Sequence, residues 1–188
     1  MVIFRMHSRS HGAFDTKGAT LQEGRWHSIG RRVVYAAEHA SLAVLETLIH
    51  AGGQKIPPRV ITRITVPDAL PVERAAWMEM PHSQAFGDDW FREQRTAVLS
   101  VPSIAVNKLE FNYVLNPSHP DFSRITQQQP QDFVFDPRFV LLVAAESRSY
   151  QPRYPTRSSA LRISSAKLPA RAVCTENQGK FTRPVSRC

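Results

Sequence analysis

The chain has 188 residues, 42% of them apolar and 21% charged, which suits one domain with its own core and leaves too little for two. Its formal charge of +8 at first suggests nucleic acid, but residues 1–150 hold 16 basic against 15 acidic residues, while 151–188 hold 8 basic residues and the single acid Glu176. Nothing is long and apolar enough for a membrane helix, the longest such run being Phe139 to Ala145, and two late cysteines, Cys174 and Cys188, argue against a disulfide framework and for a reducing, cytoplasmic setting.

Met1-Val-Ile-Phe-Arg5-Met6 opens the chain as a short strand, without the basic and long apolar pattern of a secretion signal. A polar stretch with Gly12, Gly18 and Gly24 reads as a loop, and Arg25-Trp26-His27-Ser28-Ile29-Gly30 as a turn into a strand over Arg32 to Ala36. His39 to Ala51 is the clearest helix, with Leu42, Leu45 and Ile49 at i, i+3, i+7 and Gly52-Gly53 as its stop. Val60 to Val66 alternates as a strand between Pro57-Pro58 and Pro67. A second helix is expected over Phe86 to Ala97, then strands over Ala97 to Val101, Asn112 to Leu115 and Phe139 to Ala145. Helices and strands intermix without regular alternation, which favours a single compact α+β domain, a mixed sheet flanked by helices, over a doubly wound one. That domain is expected over 1–150, with 151–188 as a basic polar tail outside it.

Glu46 carries the most information, because a carboxylate on the same side of a helix as Leu42 and Ile49 needs a partner or a pocket. Arg25, after a glycine-bearing loop, could meet phosphate oxygens, and Arg5 sits inside a strand where an arginine calls for an anion. Tyr35 ends a strand and could stack on a flat ring with its hydroxyl still bonded. Ser103 and Asn116 sit at strand or loop boundaries, where turn chemistry alone also accounts for them. No H-E-x-x-H, zinc-spaced cysteine pair, G-x-S-x-G elbow, Walker sequence or dinucleotide glycine fingerprint occurs, so metal-dependent and triad hydrolysis are disfavoured and no bound metal or cofactor is expected.

An ordered set of stretches resembles the RES domain, a family named for its Arg, Glu and Ser. It comprises Phe4-Arg5, Glu23-Gly24-Arg25-Trp26-His27-Ser28-Ile29-Gly30, Val34-Tyr35-Ala36 and Ser41-Leu42-Ala43-Val44-Leu45-Glu46. Gly87-Asp88-Asp89-Trp90, Leu99-Ser100-Val101-Pro102-Ser103, Asn116-Pro117-Ser118-His119-Pro120-Asp121-Phe122 and Phe135-Asp136-Pro137-Arg138 complete it, from about residue 3 to residue 140. Where the family has paired glycines before the arginine, this chain has Glu23-Gly24.

The resemblance implies a fold similar to ADP-ribosyltransferase toxins and a toxin that splits NAD at the nicotinamide–ribose bond, by phosphorolysis or hydrolysis, with NAD as substrate and inorganic phosphate as a candidate co-substrate. It further implies neutralisation by a cognate antitoxin with a helix-turn-helix DNA-binding part, and it leaves a homodimer open. Carried over by position, Glu46, Arg25 and Tyr35 would be catalytic, and Arg5, Ser103 and Asn116 would bind substrate. The alternative with the same residues is mono-ADP-ribosyl transfer to a cellular protein. A weaker one is nucleic-acid binding through the basic tail, since the body lacks a basic stripe.

Overall fold

A computed structural model describes residues 1–139. Both the expected strand over Phe139 to Ala145, beyond its first residue, and the tail 151–188 lie outside them. Among the described residues eight strands form one mixed sheet: β1 (Val2–Ser8), β2 (Val34–Ala37), β3 (Arg59–Thr65), β4 (Val72–Arg74), β5 (Val98–Pro102), β6 (Phe111–Leu115), β7 (Thr126–Gln127) and β8 (Gln131–Phe133). Their order is β4-β5-β6-β2-β1-β3-β7, with β8 also pairing β3. Among the described strands only β4 and β5 run parallel, and α3 (His82–Arg92) forms their crossover. The α+β expectation holds.

Burial explains the strands. In β3, Val60, Thr62 and Ile64 point inward and alternate with more exposed residues. All five residues of β5 are buried, because both faces of the sheet are covered there. Ile3, Val34, Ile64, Val98 and Leu115 form the core on one face. Trp26, Trp90, Leu99, Val101 and Val114 form it on the other. The second face is closed by α2 (Ala40–Ala51), α3 and the segment around Trp26, and it is the face that carries the site.

The helices differ from expectation in instructive ways. In α2, Leu42, Ala43, Val44 and Leu48 are buried, whereas Ile49 is 52% exposed, so the apolar stripe is rotated away from the expected one. Gly52 stops the helix with φ +55°, a left-handed conformation that glycine adopts without strain. Helix α3 starts four residues before the expected Phe86 and ends at Arg92, where Gln94 turns left-handed at φ 53°. The expected loop before Gly24 contains a short helix, α1 (Lys17–Leu21), and a 3-10 helix spans Pro120–Arg124. Among the described residues no helix is long and apolar enough to cross a membrane.

Candidate active site

Glu46 projects from α2 onto the sheet. Its Oε1 accepts two hydrogen bonds, from Ser103 Oγ at 2.7 Å and from Asn112 Nδ2 at 2.6 Å. Register puts the donors there. Ala37 of β2, Asn112 of β6 and Val101 of β5 lie side by side across three strands, and Ser103 follows two residues after Val101, on the same face. Leu42 and Ala43, packed on Ala37, Phe4 and Met6, press α2 onto that row and so bring Glu46 to it. Among the described residues Oε2 has no hydrogen-bond partner, which leaves one half of the carboxylate open.

Tyr35 lies one row along the same face, opposite Val114. Its hydroxyl is 2.8 Å from His27 Nδ1, and His27 Nε2 lies 3.2 Å from the Ala19 carbonyl and 3.0 Å from that of Gln22. Since Nε2 faces only carbonyls, it carries the proton, and Nδ1 accepts from Tyr35. Burial pushes the Tyr35 phenol well above its usual range, so it remains a neutral donor. Gly24 is required here: a Cβ at this position would stand 2.5 Å from the His27 ring and 3.0 Å from the Tyr35 hydroxyl.

The segment around Arg25 is mounted on α3. Ser83 Oγ donates to the Arg25 carbonyl at 2.9 Å, and Gln84 Nε2 donates to the carbonyls of Gly24 and His27. Asp88 Oδ1 accepts from Ser28 N at 3.0 Å and Arg31 Nε at 3.1 Å. The Arg25 guanidinium stacks over Trp77, 5.2 Å from the ring centre, and Lys108 sits 4.5 Å from the same ring. Lys108 belongs to the turn between β5 and β6, whose backbone closes on Ser103 through Lys108 N to Ser103 O at 2.6 Å. Thus the turn that aims the Ser103 hydroxyl at Glu46 also carries a cation toward Trp77.

The six residues singled out from the sequence therefore divide. Glu46 and Ser103 touch; Tyr35 and Arg25 border the same face; Arg5 and Asn116 do not join them. Arg5 neighbours Phe4 in β1, and Phe4 shares the row of Ala37, so the Arg5 side chain leaves by the opposite face. There its Nη1 and Nη2 donate to the carbonyls of Ala13 and Asp15, at 2.8 and 2.9 Å. Burial brings its pKa down to about 10, partly offset by the charge of Asp15. Asn116 is fully buried just past the far end of β6, roughly 14 Å along the strand from Asn112. Its Oδ1 accepts from Ser118 N at 3.0 Å, a turn contact of the kind the sequence allowed.

Sequence reasoning missed Asn112, His27, Trp77 and Lys108 as site residues. Asn112 had a signal, an amide inside an otherwise apolar strand that must find a partner when covered. Trp77 and Lys108 lie in segments without periodicity, and nothing in their spacing links them to Arg25.

The RES domain family model matches residues 2–136. The chain is 36% identical over 148 residues to the Prs ADP-ribosylating toxin of Sphingobium sp. (strain YBL2), an alignment covering 71% of this chain and 91% of that protein. It is 34% identical over 154 residues to Toxin Res of Photorhabdus laumondii subsp. laumondii, covering 74% and 97%. Among solved structures it shares its fold with a chain of the M. tuberculosis MbcT–MbcA toxin–antitoxin complex, at TM-score 0.59 and 16% identity over 77% of this chain and 88% of that one. A family match over most of the chain and relatives of this similarity lead to one conclusion: the chain belongs to the RES domain family.

Proposed function

We propose that this chain is the toxin of a toxin–antitoxin pair and that it cleaves NAD at the nicotinamide–ribose bond. The observation that carries the reading is the Glu46 carboxylate, fixed on one oxygen by Ser103 and Asn112 and open on the other, on a face bordered by Tyr35 and Arg25. Loss of nicotinamide builds positive charge on the ribose, as in glycoside hydrolysis. A carboxylate held beside the ribose hydroxyls interacts more strongly with that charge than with the ground state, which is the condition for catalysis. Ser103 and Asn112 are positioning residues that spare Glu46 the cost of reorganising. Arg25 would grip the diphosphate, and Tyr35, whose hydroxyl is held by His27, would offer its ring to the nicotinamide ribose. NAD is the substrate in this reading; inorganic phosphate or water would take the ADP-ribose.

The Sphingobium relative, named an ADP-ribosylating toxin, favours a second reading in which a protein side chain is the acceptor. The antitoxin is proposed from the M. tuberculosis complex, whose shared fold extends over most of both chains, and its helix-turn-helix part from the family resemblance. The test is to incubate the purified chain with NAD labelled in its adenylate half, alone, with phosphate and with cell lysate. Nicotinamide release with label on free ADP-ribose or its phosphate supports destruction, whereas label on one protein band supports transfer. A folded chain that releases no nicotinamide in any arm contradicts both.

A further inference from the structure

Two successive residues in the turn between β5 and β6, Asn107 and Lys108, are left-handed, at φ 51° and 68°. Asparagine tolerates that conformation, whereas a lysine pays for it and a glycine would not. A strained residue beside a reacting centre points to a use for its side chain. The Lys108 ammonium lies 4.5 Å from the centre of the Trp77 ring, and the Arg25 guanidinium lies 5.2 Å from the same centre. The two charges therefore stand no more than about 10 Å apart, close enough to repel each other. Among the described residues neither meets a carboxylate, whereas Arg31, Arg92 and Arg95 each do.

Topology sets this cluster beside Glu46. The parallel strands β4 and β5 pair Arg74 with Ser100, and three residues beyond them come Trp77 and Ser103, at the same end of the sheet. Ser103 donates to Glu46 Oε1, and its carbonyl accepts from Lys108 N at 2.6 Å. Resting on the NAD-cleavage reading, we infer that Lys108 is a specificity-determining residue of the Glu46 site. It selects the dinucleotide by meeting the negative charge of its diphosphate bridge, with Trp77 as the surface that bears both Lys108 and Arg25. A nicotinamide riboside has the same bond to break and lacks that charge, so a cation placed here favours the dinucleotide alone. The lysine head is a point charge on a flexible stem, and the indole beneath it limits the motion that binding must freeze.

Tryptophan emission reads this without catalysis, because Trp26 and Trp90 are buried and Trp77 is partly exposed. ADP-ribose, which carries the diphosphate and no nicotinamide, is titrated into the full chain. A saturable change in emission is expected, absent in Trp77→Phe. Affinity is expected to fall about tenfold in Lys108→Gly, the scale of one bond to a charged group, and to return in Lys108→Arg. Lys108→Gly also relieves the left-handed backbone, so its urea midpoint is expected at or above that of the wild type, which a merely structural lysine would not allow. In nicotinamide release, the same variant is expected to lower the ratio of kcat/KM for NAD to that for nicotinamide riboside about tenfold. A wild type without saturable binding, a Lys108→Gly variant that binds ADP-ribose as tightly as wild type, or a Lys108→Arg variant no better than Lys108→Gly overturns the inference. If binding depends on Lys108 and the folded wild type releases no nicotinamide, the cleavage reading fails while the grip of Lys108 on the diphosphate stands.

Discussion

At the scale of single residues, two short hydrogen bonds decide what Glu46 can do. Each comes from a different strand end, so neither Ser103 nor Asn112 can replace the other. Removing one leaves the carboxylate partly free to swing, at a cost of about 1.5 kcal/mol for a hydrogen bond to a charged group. Ser103→Ala and Asn112→Ala are each expected to lower turnover of NAD roughly tenfold with little change in KM, since both act through Glu46 and not on substrate. A rise in KM at constant kcat in either variant would instead make that residue a substrate ligand. Glu46 was legible in the sequence because a carboxylate four residues after buried Leu42 stands out. Its partners were only half legible. Ser103 came from the family resemblance, and the pairing of Asn112 depends on a register between β2, β5 and β6 that no local pattern encodes.

At the scale of elements, α3 works as the bracket for the segment that carries Arg25 and His27. Its contact is close: a Cβ on Gly87 would stand 1.9 Å from the Trp26 carbonyl oxygen. Gly87→Ala must push the segment off the helix, so a loss of about 2 kcal/mol in urea unfolding is expected, together with a raised KM for NAD. An alanine variant as stable as wild type would show that the bracket is slack. Asp88→Asn removes the charge that faces Ser28 N and Arg31 while keeping the shape, and it is expected to raise KM severalfold with a smaller effect on stability. The Gly87-Asp88-Asp89-Trp90 stretch could be read as part of a family pattern, but its task could not, because the partner lies some 60 residues earlier. Short elements were illegible for a different reason. α1, β4, β7 and β8 have two to five residues each, too few for a period to show, and β7 is exposed at both positions.

At the scale of the molecule, the long elements were legible because each shows one face to a core, and the sheet order was not, because it is set by contacts between distant segments. His7 gives the whole fold a pH dependence. It is 5% exposed, its Nε2 lies 2.9 Å from Thr62 Oγ1 and its Nδ1 faces the carbonyls of Ser8 and His11, an arrangement of the neutral ring. With the folded pKa lowered, chiefly by burial, the unfolded chain takes up a proton that the native one refuses. Stability is therefore full above the ordinary imidazole range near 6.5 and falls as pH drops from there toward the lowered folded value. Unfolding by urea at pH 7.5 and 5.5 checks this: the wild type is expected to lose more stability between the two than His7→Gln, and equal losses would remove His7 as the cause. The proposed NAD cleavage rests on Glu46 instead, and the most direct test of the central claim is the rate of nicotinamide release from NAD by wild type and by Glu46→Gln, both shown to be folded. The account predicts a fall of about 10²-fold or more, the scale of losing one preorganised charge at the reacting centre. Equal rates would mean that the carboxylate held by Ser103 and Asn112 is not the one that breaks the bond.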